Sequence, residues 1–453
     1  MLFCTPVFFF FFVAYFLIWS VSPKKWRLWI IIGGSLFFYG YWNWHYVVIP
    51  IGLTAVSYFG GNLITAEKNP KRRKIRLIVS VIFLLVPLFI FKYLNFFAGR
   101  KIITAELPIG ISFITFTLIA YLIDIARGDY PKEKKFSWLL AYITYFPQLI
   151  AGPILRPSEL LPQLKKDISV SWKIRREGLI FFTIGLAKKL IIADQLKPFV
   201  DHIYEMTSIN NMVDFFLAFY AFPVQIYCDF SGYSDMAIGL ALVFGITLPI
   251  NFNRPFCATS TTEVWRRWHI TLSYWFRDYV YFPMTGKTAP IAKKVFGKVF
   301  SMLLCGFWHG ANWTFIVWGS LNGFLLSIEY LFKKAGLKNH LPKFVKIIIT
   351  FHFFAIGVVF VRAESIWKAL SILTSFTTWN ATDFSVINSY VFPIVIMLLF
   401  FILHPFDNMD IVKKVSGKMH AIPLTFIIIT IWIIAIVLSA TGGGISKFIY
   451  FDF

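Results

Sequence analysis

Lys298–Leu331 reads KVFSMLLCGFWHGANWTFIVWGSLNGFLLSIEYL. The stretch is long and apolar enough to enter a bilayer. Gly306–Asn312 interrupts it, and both flanks are basic: Lys293, Lys294 and Lys298 before it, Lys333, Lys334 and Lys338 after it. Lysine and arginine collect on the cytoplasmic side of a membrane. A single crossing would strand one basic flank on the wrong side, so a dip into the membrane and back is expected, with its vertex near Gly306–Asn312. Backbone that leaves the helix at membrane depth is tolerated only where protein or a water-filled cavity surrounds it. His309 would then sit near the floor of such a cavity.

The rest of the chain agrees with a membrane setting. Of its 453 residues 58% are hydrophobic and only 15% charged, more apolar surface than a soluble protein of this length buries. Apolar stretches recur at roughly 3–22, 28–43, 45–64, 75–97, 107–125, 136–154, 178–196, 213–228, 232–248, 298–331, 345–361, 389–404 and 422–439. The expectation is an all-α polytopic protein with about 11–13 membrane-embedded helices, some broken or re-entrant, forming a single domain over 1–453. Within it, 1–135 reads as N-terminal helices, 136–331 as a core with re-entrant segments, and 332–453 as C-terminal helices. The first stretch has no basic leader and no small-residue cleavage site, and is expected to stay as a helix. Net charge is +22, concentrated in short loops such as Pro70–Arg76 (PKRRKIR), which fits an anionic membrane face and not nucleic acid. Taking the Lys24/Lys25/Arg27 loop as cytoplasmic places both termini outside. Cys4, Cys228, Cys257 and Cys305 are scattered, with no metal-ligand or disulfide pattern. Cys305 lies one helical turn before His309, where packing is a better account than a Cys–His pair.

A neutral imidazole is one of the few groups that accepts a proton near pH 7, and ionisable side chains are costly in a bilayer. A lone histidine in an apolar run is more often a core residue packed among tryptophans. His269 shifts that balance: it lies in Val264–Tyr279 (VWRRWHITLSYWFRDY), a second segment mixing charge and aromatics. Thr259–Glu263 (TSTTE) reads as the N-cap of an amphipathic helix. Trp265, Trp268 and Trp275 would form its interfacial face, and Arg266, Arg267 and Arg277 would meet water or phosphates. Tyr227–Asp235 (YCDFSGYSD) reads as a polar turn joining two helices, or as a site in which Asp229, Ser231, Tyr233 and Asp235 orient an imidazole or hold a donor's polar groups. Asn251, Asn253 and Arg254 are expected to tie down a loop. Lys188 and Lys189 are expected to snorkel or to pair with Asp194. Trp308 and Asn312 flank His309, and Asn312 with nearby backbone N–H groups is a candidate oxyanion donor.

WRRWHITLSYWFRDY at 265–279 followed by CGFWHGANWTFIVWG at 305–319 resembles the membrane-bound O-acyltransferase (MBOAT) family, in the bacterial branch of alginate and peptidoglycan O-acetylation membrane subunits. Further matching motifs are LPIGISFITFTLIAYLIDI at 107–125, FPQLIAGPILRPSELLPQL at 146–164, FSGYSDMAIGLALVFGITLPINFNRPF at 230–256 and FIYFDF at 448–453. The D-alanylation subunit of teichoic acid modification is a close relative. FPMTGK at 282–287 departs from the Gly-Gly-Asn-Arg turn of acetylating relatives. The resemblance implies a ring of tilted helices around a thinned centre, with cytoplasmic and external funnels meeting near an invariant histidine, here His309; a second, less universal polar position falls on His269.

It also implies acetyl transfer from a cytoplasmic thioester, acetyl-CoA, to a hydroxyl on the outer face, with no resident cofactor or metal, in a bacterial inner membrane. A partner is implied as well: a periplasmic or membrane-anchored SGNH hydrolase-fold protein (DltD-, AlgJ- or PatB-like) that passes the group to a polysaccharide. D-alanyl transfer to teichoic acid, a polar-solute transporter and a non-catalytic scaffold are the alternatives.

Overall fold

The computed structural model describes residues 1–166, 169–209, 211–286, 288–337, 339–377, 387–441 and 444–451. Lys287, Lys338, Asp452 and Phe453 of the motifs above lie outside them. The described residues form helices and connecting turns, with no strand among them. This is the all-α polytopic membrane architecture expected.

Six helices among the described residues are long and apolar enough to cross a membrane: Trp44–Ala66, Pro70–Ala98, Met212–Val243, Trp313–Lys334, Lys343–Arg362 and Ala421–Ala440. Tyr390–Phe406 and Met409–Lys418, bent by 84° at their junction, make a seventh if counted as one broken span. Other apolar stretches form shorter helices: Pro6–Val21 has 16 residues and Arg27–Gly40 has 14. At 1.5 Å per residue the latter reaches about 21 Å, short of the hydrocarbon thickness. Burial separates lipid-facing from interior spans. The apolar window of Ala421–Ala440 is 11% buried and that of Met212–Val243 is 83% buried.

The chain divides into two compact units, Met1–Phe182 with Tyr233–Pro249, and Thr183–Gly232 with Ile250–Phe453. In the first unit Val48–Ala66 packs on Pro70–Leu88, Ile111–Arg127 and Phe136–Thr144. The 136–154 stretch breaks where its Pro147, Gly152 and Pro153 predict: Phe136–Thr144 stops at Tyr145 and a short turn, Phe146–Leu149, follows. Gly152 is required there, since a Cβ would fall 2.4 Å from Gln148 Cα.

In the second unit Ile291–His309 and Trp313–Lys334 form the expected hairpin, turning over Gly310–Asn312. Small residues let the arms approach to backbone contact. A Cβ on Gly306 would lie 2.2 Å from Phe315 O, and one on Gly319 would lie 2.4 Å from Met302 O. The second arm, at 22 residues, is long enough to cross rather than merely dip.

One expectation is corrected. Residues 213–228 and 232–248 are not two helices joined at Tyr227–Asp235; Met212–Val243 is one continuous helix. Its polar centre survives burial because Asp229 is paired with Lys189 at 2.6 Å, and because Gly232 accommodates Gly185 O, which a Cβ would approach to 2.7 Å.

Candidate active site

His309 is the last residue of Ile291–His309, where the hairpin turns, and it is buried. Three aromatic rings surround it: Trp308 at 4.8 Å between centroids, Trp318 edge-on at 5.1 Å and Tyr450 at 5.4 Å. His269 is fully buried, with Phe230 edge-on at 4.6 Å and Trp308 at 6.1 Å. The two histidines, far apart in sequence, come together with ring centroids 6.3 Å apart. That spacing leaves more than a hydrogen-bond length between their nitrogens, so the two rings do not bond each other directly. Burial pushes His269 down to about 3, so it is a neutral imidazole at pH 7.

His269 has left-handed backbone, φ 43°, which a residue bearing a Cβ adopts only at a cost of roughly 1–2 kcal/mol. Asn251 enforces this turn. Its carbonyl accepts from Ile270 N at 3.0 Å, and its Oδ1 accepts from Thr271 N at 3.2 Å and Thr271 Oγ1 at 2.9 Å. Asn253 N donates to Arg267 O at 2.8 Å. The 251–253 segment is therefore the tie-down expected for it. Strain held this way concentrates at functional sites.

The single amphipathic helix expected from Thr259 onward is corrected by this turn, which splits it into Thr261–Val264 and Ile270–Phe276. The N-cap is as expected: Ser260 Oγ accepts from Glu263 N at 3.2 Å. Glu329, from the second hairpin arm, accepts from Thr262 N at 2.9 Å and from Thr261 N, placing a carboxylate at a helix start where its charge is favoured. Trp265, Trp268 and Trp275 are buried, not interfacial. Trp265 Nε1 donates to Asn322 Oδ1 at 3.2 Å, and Trp268 lies 5.0 Å from Phe354. Arg267 pairs with Glu263 at 2.5 Å, while Arg266 is exposed. Burial works against the Glu263 charge, but hydrogen bonds from Thr259 and the Arg267 guanidinium outweigh it and hold the carboxyl below its usual range.

Asp229 does not orient either histidine. It belongs to a buried ionic knot with Lys189 and Asp194. Lys189 Nζ donates to Asp229 Oδ1 at 2.6 Å and lies 2.8 Å from Asp194 Oδ1. The pairing with Asp194 is the one expected. Lys188 and Lys189 lie in a π-helical turn, Lys188–Ala193, and Lys188 reaches a different acid, Asp407, at 2.7 Å. The knot also holds the segment after Gly444. Ser446 Oγ bonds to Asp194 Oδ1 and to Lys189 Nζ, and Ile449 N donates to Asp229 Oδ2 at 2.7 Å. Tyr450 is thereby set against Phe230 at 4.3 Å and against both histidines. Nothing in the residue pattern singled out Tyr450; only the resemblance of FIYFDF touched it.

A cavity of about 430 Å³ lies in this unit, lined among others by Asp229, Asn312, Thr314, Phe315, Arg362 and Ile449. Its wall thus includes the residues that follow His309 and the neighbour of Tyr450. Asn312 caps Trp313–Lys334: its Oδ1 accepts from Thr314 N at 3.1 Å and its Nδ2 donates to Glu364 O at 3.1 Å. Ser231 is fully buried. Tyr233 and Asp235 belong to the first unit, where Tyr233 stacks on Phe3 at 4.7 Å. Among the described residues no three His, Cys, Asp or Glu side chains form a metal-ligand group.

The chain is similar to known proteins along most of its length. A protein named "Probable alginate O-acetylase AlgI" from Pseudomonas aeruginosa is 38% identical over 404 residues, covering 84% of this chain and 76% of that one. A peptidoglycan O-acetyltransferase from Helicobacter pylori is 34% identical over 427 residues, covering 84% and 81%. A teichoic acid D-alanyltransferase from Bacillus subtilis is 29% identical over 268 residues, covering 55% of this chain and 67% of the relative. Residues 130–362, which contain both histidines and the hairpin, match the family described as MBOAT, membrane-bound O-acyltransferase. The chain belongs to the membrane-bound O-acyltransferase family and is an enzyme of acyl transfer.

Proposed function

We propose that this enzyme moves an acetyl group from a cytoplasmic thioester, acetyl-CoA, to a hydroxyl acceptor on the outer face of a bacterial inner membrane, for O-acetylation of peptidoglycan or an alginate-like polysaccharide. The observation that carries the reading is the His309–His269 pair at 6.3 Å, buried at the turn of a membrane hairpin. His309 takes the hydroxyl proton as the acceptor oxygen attacks the thioester carbonyl. The tetrahedral intermediate then expels the thiolate, which receives that proton back from the imidazolium. The product is an ester and a free thiol, and no redox step is involved. His269, neutral and fixed by the Asn251 clamp, orients His309 and the acceptor beside it. Arg266 is the exposed cation available to the donor's phosphates. A periplasmic or membrane-anchored SGNH-type partner delivers the group to more distant polymer.

The more extensive similarity to the two O-acetylating relatives than to the D-alanyltransferase favours acetyl over D-alanyl transfer. The test is release of label from radiolabelled acetyl-CoA by proteoliposomes. His309→Ala is expected to lower release by about 10²–10⁴-fold, the typical worth of a general base. Equal release by wild type and variant would defeat the assignment.

A further inference from the structure

We propose that Glu329 is a positioning residue for the two-histidine site: from far along a hairpin arm it fixes where His269 stands beside His309. The inference rests on the acyl-transfer chemistry proposed above. Asn251 sets the shape of the left-handed turn at His269, but that clamp leaves the distance to the hairpin open. His309 ends one hairpin arm. Holding the two rings 6.3 Å apart therefore needs links from the His269 segment to the hairpin itself.

Such links lie along one face of Trp313–Lys334. Trp318, Asn322 and Glu329 follow one another at intervals of four and seven residues, which places them on a single stripe of an α-helix. Trp318 stands edge-on to His309 at 5.1 Å. Asn322 joins the two segments: its Oδ1 accepts from Trp265 Nε1 at 3.2 Å, and its Nδ2 donates to Trp318 O at 2.9 Å. Trp265 also lies 5.8 Å from Trp318 between ring centroids. Glu329 takes the start of the segment. Its Oε2 accepts from Thr262 N at 2.9 Å and from Thr262 Oγ1 at 2.7 Å, and its Oε1 accepts from Thr261 N.

About 16 Å of helix separates Trp318 from Glu329. The chain from Thr261 to His269 is tied to this strut at Glu329 and again at Asn322, and it ends on the imidazole beside His309. A carboxylate suits the first tie. It offers two acceptor oxygens to three converging donors, whereas a glutamine offers one and turns an NH2 group on the others. The tie matters because the turn at His269 is strained, and strained backbone keeps its place only where its surroundings over-determine it. A displacement of about 1 Å near reacting groups can cost about 10²-fold in rate.

The experiment is a double-mutant cycle pairing Glu329→Gln with His269→Ala, read as steady-state label release from radiolabelled acetyl-CoA by the full-length protein in proteoliposomes. Glu329→Gln alone should lower kcat about tenfold, with the donor KM unchanged within about twofold. In the His269→Ala background the same change should alter kcat by less than about twofold, because the ring it positions is gone. A role in folding alone would instead multiply the two losses. Thr262→Val keeps the backbone donors and the side-chain shape and removes one bond to Glu329. It should lower kcat about threefold, again only while His269 is present, and it decides the matter if Glu329→Gln does not fold. Multiplied losses, wild-type kcat in both variants, or a raised donor KM at unchanged kcat would each overturn the proposal. The last would assign the Glu329–Thr262 link to donor binding. Wild-type kcat in His269→Ala would sink the role given to that histidine in the reaction, and Glu329 with it; an impaired His269→Ala with multiplied losses sinks this proposal alone.

Discussion

Tyr450 lies 5.4 Å from His309 and 6.3 Å from His269 between ring centroids, so its ring forms a wall shared by both. It acts through the histidines' placement, as a positioning residue. Tyr450→Phe keeps that wall and should retain most acetyl transfer, whereas Tyr450→Ala should lower kcat by about tenfold or more, since small misplacements near reacting groups are expensive. Steady-state label release from acetyl-CoA separates the two, and equal losses in both would point to the phenol oxygen instead. Lys189 bears on the same wall from below. Replacing it with Met strands Asp194 and Asp229, and breaking a buried pair costs about 3–5 kcal/mol. A large fall in the thermal midpoint in detergent is expected, with partial recovery when Asp229→Asn is added to Lys189→Met.

Among the elements, the hairpin was legible in the sequence because glycine, histidine and basic flanks all spoke for a turn at one place. The Met212–Val243 helix was not. Its YCDFSGYSD centre has turn composition, and only Lys189, 40 positions before Asp229, makes that polarity tolerable within a helix. The Val264–Tyr279 segment misled for a related reason. Its tryptophans suit an interfacial face, but Asn251 imposes a left-handed turn at His269 that no local propensity announces. Both histidines could be named in advance; Tyr450 could not, because a contact across 141 positions leaves no trace in spacing. The hairpin's packing yields its own prediction. Gly306→Ala drives a Cβ into Phe315 O and should cost about 1–3 kcal/mol, the range for overpacking, seen as a lowered detergent melting temperature. Gly417→Ala, where a Cβ meets nothing within 4 Å, is the matched control and should be neutral or slightly stabilising.

For the whole molecule, the gathering of Lys and Arg in particular loops, such as the one after Trp313–Lys334, predicts an orientation that labelling can check. A cysteine at exposed Leu337, beside the basic turn, should react with a membrane-impermeant maleimide only in inside-out vesicles. One at exposed Trp367, past the Arg362 end, should react only in right-side-out cells. Labelling of both from one side would refute the orientation.

The fastening of Ser446 and Ile449 onto the Lys189 knot has a consequence for biogenesis. A ribosome delivers His309 to the membrane well before it has made Tyr450, and Ala421–Thr441 must be inserted in between. During that interval the imidazoles have Trp308, Trp318 and Phe230 beside them but not the Tyr450 ring, and Asp229 lacks the amide that later occupies its second oxygen. The Tyr450 wall is therefore added only after the segment following Ala421–Thr441 has been made, so completion of the two-histidine site waits on that downstream chain.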